Sequence, residues 1–213
     1  TLSPSSAASD VYKRQVSPPG ADFSEPVTQN TLRYIGTFIA LDVALANRRH
    51  FPAVNWLMSY SLYVETVARW WSKRYPRWKE MRDRALSILQ REAELMEMVR
   101  LVGPDALPDN DKLLLDVAKM IREDFLQQNA FHPIDCYCPP DKTVKILEII
   151  LKFYELSSKA LEVGVPLEKV RALPVRAKIA RLKHVPYEDF SKVYESLSKE
   201  LADSFKKLME GTS

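Results

Sequence analysis

The chain has 213 residues, 46% hydrophobic and 28% charged, with five glycines and a formal net charge of +3, enough for one domain with a real core or a small domain with an appendage. The charge is too small and too evenly interspersed to mark nucleic acid as the main partner. No apolar run approaches the roughly 18–20 residues of a membrane span; the best, Ile35 to Ala46, is broken by Asp42.

Residues 1–15, TLSPSSAASDVYKRQ, are Ser-rich and aperiodic, and disorder is expected there. Within them, Asp10-Val11-Tyr12-Lys13-Arg14-Gln15 reads like a translated sequencing adaptor, an extraneous segment to set aside before any reasoning about fold. Residues 16–54 read as a strand stub and loop followed by one helix, with Thr28 or Asn30 as N-cap and Leu32, Ile35, Ile39 and Leu41 among its apolar residues. That is what remains when a chain is cut inside an α/β unit.

From Asn55 onward helix follows helix. Trp56 to Lys73 sets Trp56, Tyr60, Tyr63, Val67 and Trp70 or Trp71 on one side; Pro76 opens the next helix, which runs to Val102 before Gly103-Pro104 stops it. An acidic turn then feeds a helix with Leu114, Val117, Ala118, Ile121 and Phe125 at the spacing of one buried face. Asp109 or Asn110 is expected to cap it, and Asn129 with the Pro133 bond to end it. At about 1.5 Å per residue this rod is roughly 25–30 Å long. It joins the acidic turn to a polar-aromatic knot at residues 125–131.

Residues 141–163 carry Val144, Leu147, Leu151 and Tyr154 on one face and Ile146, Ile149, Phe153 and Leu156 on another, which implies burial between neighbours. Gly164 and Pro166 end this helix, a short one follows around Val175 to Lys183, and Pro186 opens a last one through Val193, Leu197, Leu201 and Leu208. The scarcity of glycine favours helices throughout. The expected architecture is mainly all-α: a helical bundle of about six helices over 55–213, preceded by a truncated α/β stub over 16–54.

Little in the chain points to chemistry of its own. There is no G-x-x-x-x-G-K-[ST], and Gly20, Gly36, Gly103, Gly164 and Gly211 are too scattered to cradle a phosphate. Phosphoryl transfer would lack its electrostatic stabilisation, so no catalytic residue is assigned. His50, His132 and His184 are too dispersed in sequence for a metal site. Cys136 and Cys138 make poor geometry for a mutual disulfide and half a metal site without its other half. They read as reduced thiols. The basic run Arg171, Arg176, Lys178, Arg181, Lys183 and His184 is interleaved with Val175, Ile179 and Leu182, the pattern of an amphipathic helix with a cationic outer face. Trp70, Trp71 and Trp78 read as core and interhelix packing.

Four stretches carry a resemblance: Ser17-Pro18-Pro19-Gly20 with Asp22-Phe23-Ser24-Glu25-Pro26-Val27-Thr28, then Arg49-His50-Phe51-Pro52-Ala53-Val54-Asn55-Trp56-Leu57, Ser59-Tyr60-Ser61, and Asp124-Phe125-Leu126-Gln127-Gln128-Asn129-Ala130-Phe131. Together they resemble the C-terminal portion of the catalytic A subunit of archaeal and vacuolar-type (A/V-type) rotary ATPases and ATP synthases. The resemblance covers nearly all of the chain after residue 15.

It implies that 16–54 is the end of a nucleotide-binding α/β domain whose phosphate loop lies upstream. Phe51 and Pro52 then flank an adenine ring, with Phe131 on the same pocket and Gln127 or Gln128 nearby, a flat base between aromatics with an amide at its polar edge. Asp105, Leu107, Pro108, Asp109 and Asp111 take the position of a rotor-facing loop in which no single carboxylate is essential. ATP or ADP with Mg is implied for the full-length subunit, none for the fragment alone, which is expected to be inactive. The implied partners are a non-catalytic B subunit in an alternating hexamer, the central rotor stalk and a peripheral stalk, with no nucleic acid and no direct membrane insertion. The location implied is cytoplasmic, peripheral on the membrane, in a motor that couples ATP synthesis or hydrolysis to rotation and to proton or sodium transport. From the residues alone a helical interaction module without nucleotide, or a basic RNA-binding bundle, stays open; an upstream phosphate loop, or a salt-steep RNA affinity, separates the three.

Overall fold

A computed structural model of the chain describes residues 15–103 and 106–211. All but Gln15 of the segment expected to be disordered, and Asp105 of the acidic turn, therefore lie outside the described residues. The elements are α1 (Pro26–Leu32), β1 (Thr37–Phe38), α2 (Val43–Asn47), β2 (Tyr60–Ser61), α3 (Val64–Ser72), α4 (Trp78–Val102), α5 (Asp109–Met120) with a π-helical continuation (Ile121–Leu126), α6 (Pro140–Glu162), α7 (Leu167–Arg171), α8 (Pro174–Arg181) and α9 (Tyr187–Glu210).

The N-terminal part is more broken than the one helix expected. Glu25, not Thr28 or Asn30, caps α1: its Oε2 accepts the Thr28 N–H at 2.9 Å and the Thr28 hydroxyl at 3.1 Å, with Pro26 at the first helical position. The helix stops at Leu32, and β1 pairs antiparallel with β2, Thr37 opposite Ser61 and Phe38 opposite Tyr60. Gly36 makes that pairing fit, because a Cβ there would stand 2.5 Å from the Tyr63 ring. Ile39 and Leu41, expected on a helix face, are exposed beyond β1.

The helix expected over Trp56 to Lys73 is likewise cut to α3. Asn55 is the cause. Its Oδ1 accepts the N–H groups of Leu57 and Met58, both at 3.0 Å, while Ser59 donates its hydroxyl to the Asn55 carbonyl at 2.6 Å. These local bonds offer the backbone an alternative to a helix. Trp71 and Trp78 stack at 5.7 Å between α3 and α4, as packing residues should, whereas Trp70 is 65% exposed.

The bundle follows its apolar periodicity closely. In α6, Val144, Leu147 and Leu151 on one face and Ile146, Ile149 and Phe153 on the other are all buried, so this helix sits between neighbours and touches α4, α5, α7, α8 and α9. Each such fully buried aliphatic side chain contributes about 1.5–3 kcal/mol. Helix α9 buries Phe190, Leu197, Leu201 and Phe205, with Phe153 and Phe205 edge to face at 5.7 Å; Val193, expected in that stripe, faces out. Lys142, 1% exposed, donates to the carbonyls of Lys183 and Val185 at 2.7 and 2.8 Å and so ties α6 to the turn before α9. Among the described residues no helix is long and apolar enough to cross a membrane.

Candidate functional site

The two halves of the adenine-pocket expectation come from segments far apart in sequence, and each has its own local scaffold. On the first, Asp42 caps α2 by accepting the Ala44 N–H at 2.7 Å, and its other oxygen holds Asn55 at 3.0 Å. Leu41 bridges Val54, and the Asp42 N–H meets the Ala53 carbonyl at 2.9 Å. The chain between must therefore return within a few residues. It does so through Arg49 in the left-handed region (φ 58°), a conformation that costs a non-glycine residue of order 1 kcal/mol, and a cis Phe51–Pro52 bond. Phe51 and Pro52 stand exposed at the tip.

The second scaffold is the rod. Helix α5 buries Leu113, Val117, Ala118 and Met120, then widens to π-helical winding at Ile121–Leu126, and extended backbone begins at Gln127. Single π-turns in otherwise α-helical rods occur often at functional sites. Lys183 reaches across from the turn before α9 and donates to the carbonyls of Glu123 and Gln127 at 2.7 and 3.1 Å, answering groups that a helix end leaves open.

Three hydrogen bonds stitch the scaffolds together. The Gln128 N–H donates to the Phe51 carbonyl at 2.7 Å, the Gln127 side-chain amide to the Arg49 carbonyl at 3.3 Å, and the His50 Nε2 lies 3.0 Å from the Arg122 carbonyl. His50 is buried against the Trp56 ring at 5.6 Å. Phe51, Pro52, Gln127 and Gln128 thus share one locality. Phe131 lies three residues beyond Gln128 on the same loop, its N–H held by the Asn129 side chain at 3.0 Å, and its ring is 98% exposed. His50 and Lys183, which hold this arrangement, were not singled out as site residues from sequence, since both act through partners brought in by the fold.

Other expectations fall differently. Leu107 is buried, so within the acidic turn it anchors inward and does not face out; Pro108, not Asp109 or Asn110, is the N-cap of α5, with no side-chain cap; Asp109 is exposed and Asp111 half-buried. The histidines are less dispersed than their spacing implied, since the His132 and His184 rings approach to 4.6 Å. Among the described residues no group of three or more His, Cys, Asp or Glu is arranged to hold a metal, and both cysteines are free thiols. Much of the basic run is answered within the fold: Arg171 donates to Asp116 at 2.6 Å and Lys178 to Glu200 at 2.6 Å.

Beside the rod's end, burial pushes the Asp124 carboxyl up from 3.8 to about 6, against the pull of Lys183. The folded chain holds that proton more tightly than the unfolded one, so this contribution to stability is present below 3.8 and is lost as pH rises through about 6. Asp124→Asn is therefore expected to raise stability at neutral pH by ~1–3 kcal/mol and to flatten the melting temperature across that window. A melting profile parallel to that of the wild type at every pH would show that Asp124 carries no such cost.

Residues 68–171 match the family described as the C-terminal domain of V and A type ATP synthase, and residues 13–61 the ATP synthase alpha/beta family, nucleotide-binding domain. Over 196 residues the chain is 59% identical to the A subunit of the A-type ATP synthase of Staphylothermus marinus, covering 92% of this chain and 33% of that protein. It belongs to the V and A type ATP synthase family. The corresponding protein of Methanopyrus kandleri is 54% identical over 199 residues, covering 93% of this chain and 34% of that protein. This ATP synthase chain thus spans about a third of the length of the curated relatives it matches. Among solved structures, a unique ATP synthase subunit NeqB from Nanoarcheaum equitans shares the fold at a TM-score of 0.55 and 21% identity, over 64% of this chain and 34% of that one. The helix-rich architecture expected from sequence is the family's: a C-terminal domain after a short piece of the nucleotide-binding domain.

Proposed function

We propose that this chain supplies the adenine side of the nucleotide site in the catalytic subunit of a rotary ATP synthase, together with the helical lever that passes nucleotide-driven movement to a rotor. Residues 16–54 form the end of the nucleotide-binding domain and 55–213 the helical domain. Phe51, Pro52 and Phe131 take the faces of the base, and Gln127 or Gln128 its polar edge. The observation that supports this most is the Gln128 to Phe51 backbone bond, with the Gln127 amide on the Arg49 carbonyl: it joins the corner that bears Phe51 to the loop that runs on to Phe131, and both aromatic residues are exposed. The phosphates and Mg belong to the part of the subunit that carries a phosphate loop, so the 213 residues alone have no turnover.

The exposed Asp109 and the turn before α5 then face the central stalk, with B subunits alternating around the ring and a peripheral stalk outside. The assembly sits on the cytoplasmic face of a membrane and couples ATP synthesis or hydrolysis to proton or sodium transport. Phe51→Ala and Phe131→Ala, each in a full-length subunit that contains this sequence, are expected to weaken Mg-ADP binding by roughly 1–2 kcal/mol with little loss of fold. Wild-type affinity in both variants would leave the two aromatics as ordinary surface residues and sink the reading.

A further inference from the structure

We infer that Asp135 is a positioning residue for the nucleotide loop: its carboxylate fixes the stretch from Gln128 to Phe131 that meets the base. The inference rests on the adenine reading above. Asp135 is 3% exposed, yet it belongs to no helix and forms no direct salt bridge among the described residues, its charge reaching Lys142 and His184 only through space. Its Oδ2 accepts the Asn129 N–H at 2.7 Å, and its carbonyl accepts the Gln128 side-chain amide at 3.4 Å. Its own N–H, like that of Ile134, donates to His132 Nδ1, at 3.1 and 3.2 Å.

A carboxylate out of water is costly unless its acceptor sites are used, and here a backbone N–H of the loop uses one. Asn129 in turn accepts the Phe131 N–H on its side chain at 3.0 Å. The chain of contacts therefore runs from buried Asp135 to Asn129 to Phe131, and by the other route from the Asp135 carbonyl to Gln128. Phe131 is 98% exposed, so packing does little to place it. What fixes its direction is the turn that Asp135 anchors. Without that anchor the loop samples more backbone states, and nucleotide binding must supply the ordering.

The test is Mg-ADP affinity of a full-length subunit containing this sequence, in Asp135→Ala, Asp135→Asn, Phe131→Ala and the Asp135→Ala/Phe131→Ala pair, with thermal unfolding of the same samples. Asp135→Ala is expected to bind about tenfold more weakly, the scale of one charge-assisted bond and the loop order that goes with it. Asp135→Asn keeps an oxygen that can accept the Asn129 N–H and should recover most of that loss. The double variant should bind no worse than about the weaker single one, because both changes act on the same ring. If Asp135→Ala does not fold, Asp135→Leu, similar in size without an acceptor, is scored by the same criteria. Wild-type affinity in Asp135→Ala, no recovery in Asp135→Asn, or losses that add in full to those of Phe131→Ala overturn the positioning role while the adenine reading stands. Wild-type affinity in both Phe51→Ala and Phe131→Ala removes the adenine reading and this role with it.

Discussion

Replacing Arg122 by methionine is expected to cost the fold about 3 kcal/mol, the low end of the penalty for removing one partner of a buried ion pair, because the Arg122 side chain keeps 24% of its surface in solvent. Arg122 lies on the π-helical segment and meets Glu92 of α4 at 2.9 Å, where Glu92 is 9% exposed. Burial already holds the Glu92 carboxyl above its ordinary range, and Arg122 is the group that pulls it back. Without the guanidinium the folded state must keep an unpaired buried carboxylate or take up a proton. The raised affinity for that proton means the folded variant binds it where the unfolded chain does not, so the deficit is largest at neutral pH and shrinks as pH falls. Glu92→Met with Arg122→Met removes both charges and should recover most of the loss. Urea unfolding of the wild type and the two variants measures this; an Arg122→Met chain within about 1 kcal/mol of wild type would mean the pair is solvated and inconsequential.

The second large effect concerns the rod. Helix α5 and its π continuation run from Asp109 to Leu126, about 25 Å at helical rise, between the exposed Asp109 and the Gln127–Gln128 loop. A proline at Lys119 removes one helical hydrogen bond and clashes with the preceding turn, at about 3 kcal/mol or more. Lys119 is the better position than Ala118, because Ala118 is fully buried and a ring there would also overpack the core, whereas Lys119 is exposed and loses only a 3.9 Å surface pairing with Glu123. In the assembled complex Lys119→Pro is expected to leave nucleotide binding in place and to lower ion transport per ATP hydrolysed. Asp109→Ala, which removes charge and leaves the rod straight, should cost far less. Full coupling in a folded Lys119→Pro complex would reduce the rod to an ordinary core helix.

The long helices were legible because their apolar spacing is strict: both faces of α6 and the Leu197–Leu201 stripe of α9 are buried as their periodicity implied. The region from Thr28 to Tyr63 was not. There, side chains bond the local backbone, as Asn55 does to Leu57 and Met58, and such bonds compete with helix without altering the apolar pattern that signals one. The winding change at Ile121 leaves no periodic mark within six residues. As to the site, the resemblance named Phe51 and Gln128, and the structure shows why they meet. Asp135 and Lys183 were invisible because their roles depend on partners brought in by tertiary packing: Lys183 serves a carbonyl 60 residues away.

On the proposed reading, adenine lies between the Phe51 corner and the Gln127 to Phe131 loop. The most direct measurement is photolabelling of a full-length subunit containing this sequence with an azido-adenine nucleotide, in the presence of Mg, followed by mapping of the labelled peptides. Covalent label is expected on the peptides carrying Phe51 or Phe131, competed away by unmodified ATP. Competable label confined to peptides that include neither segment would contradict it.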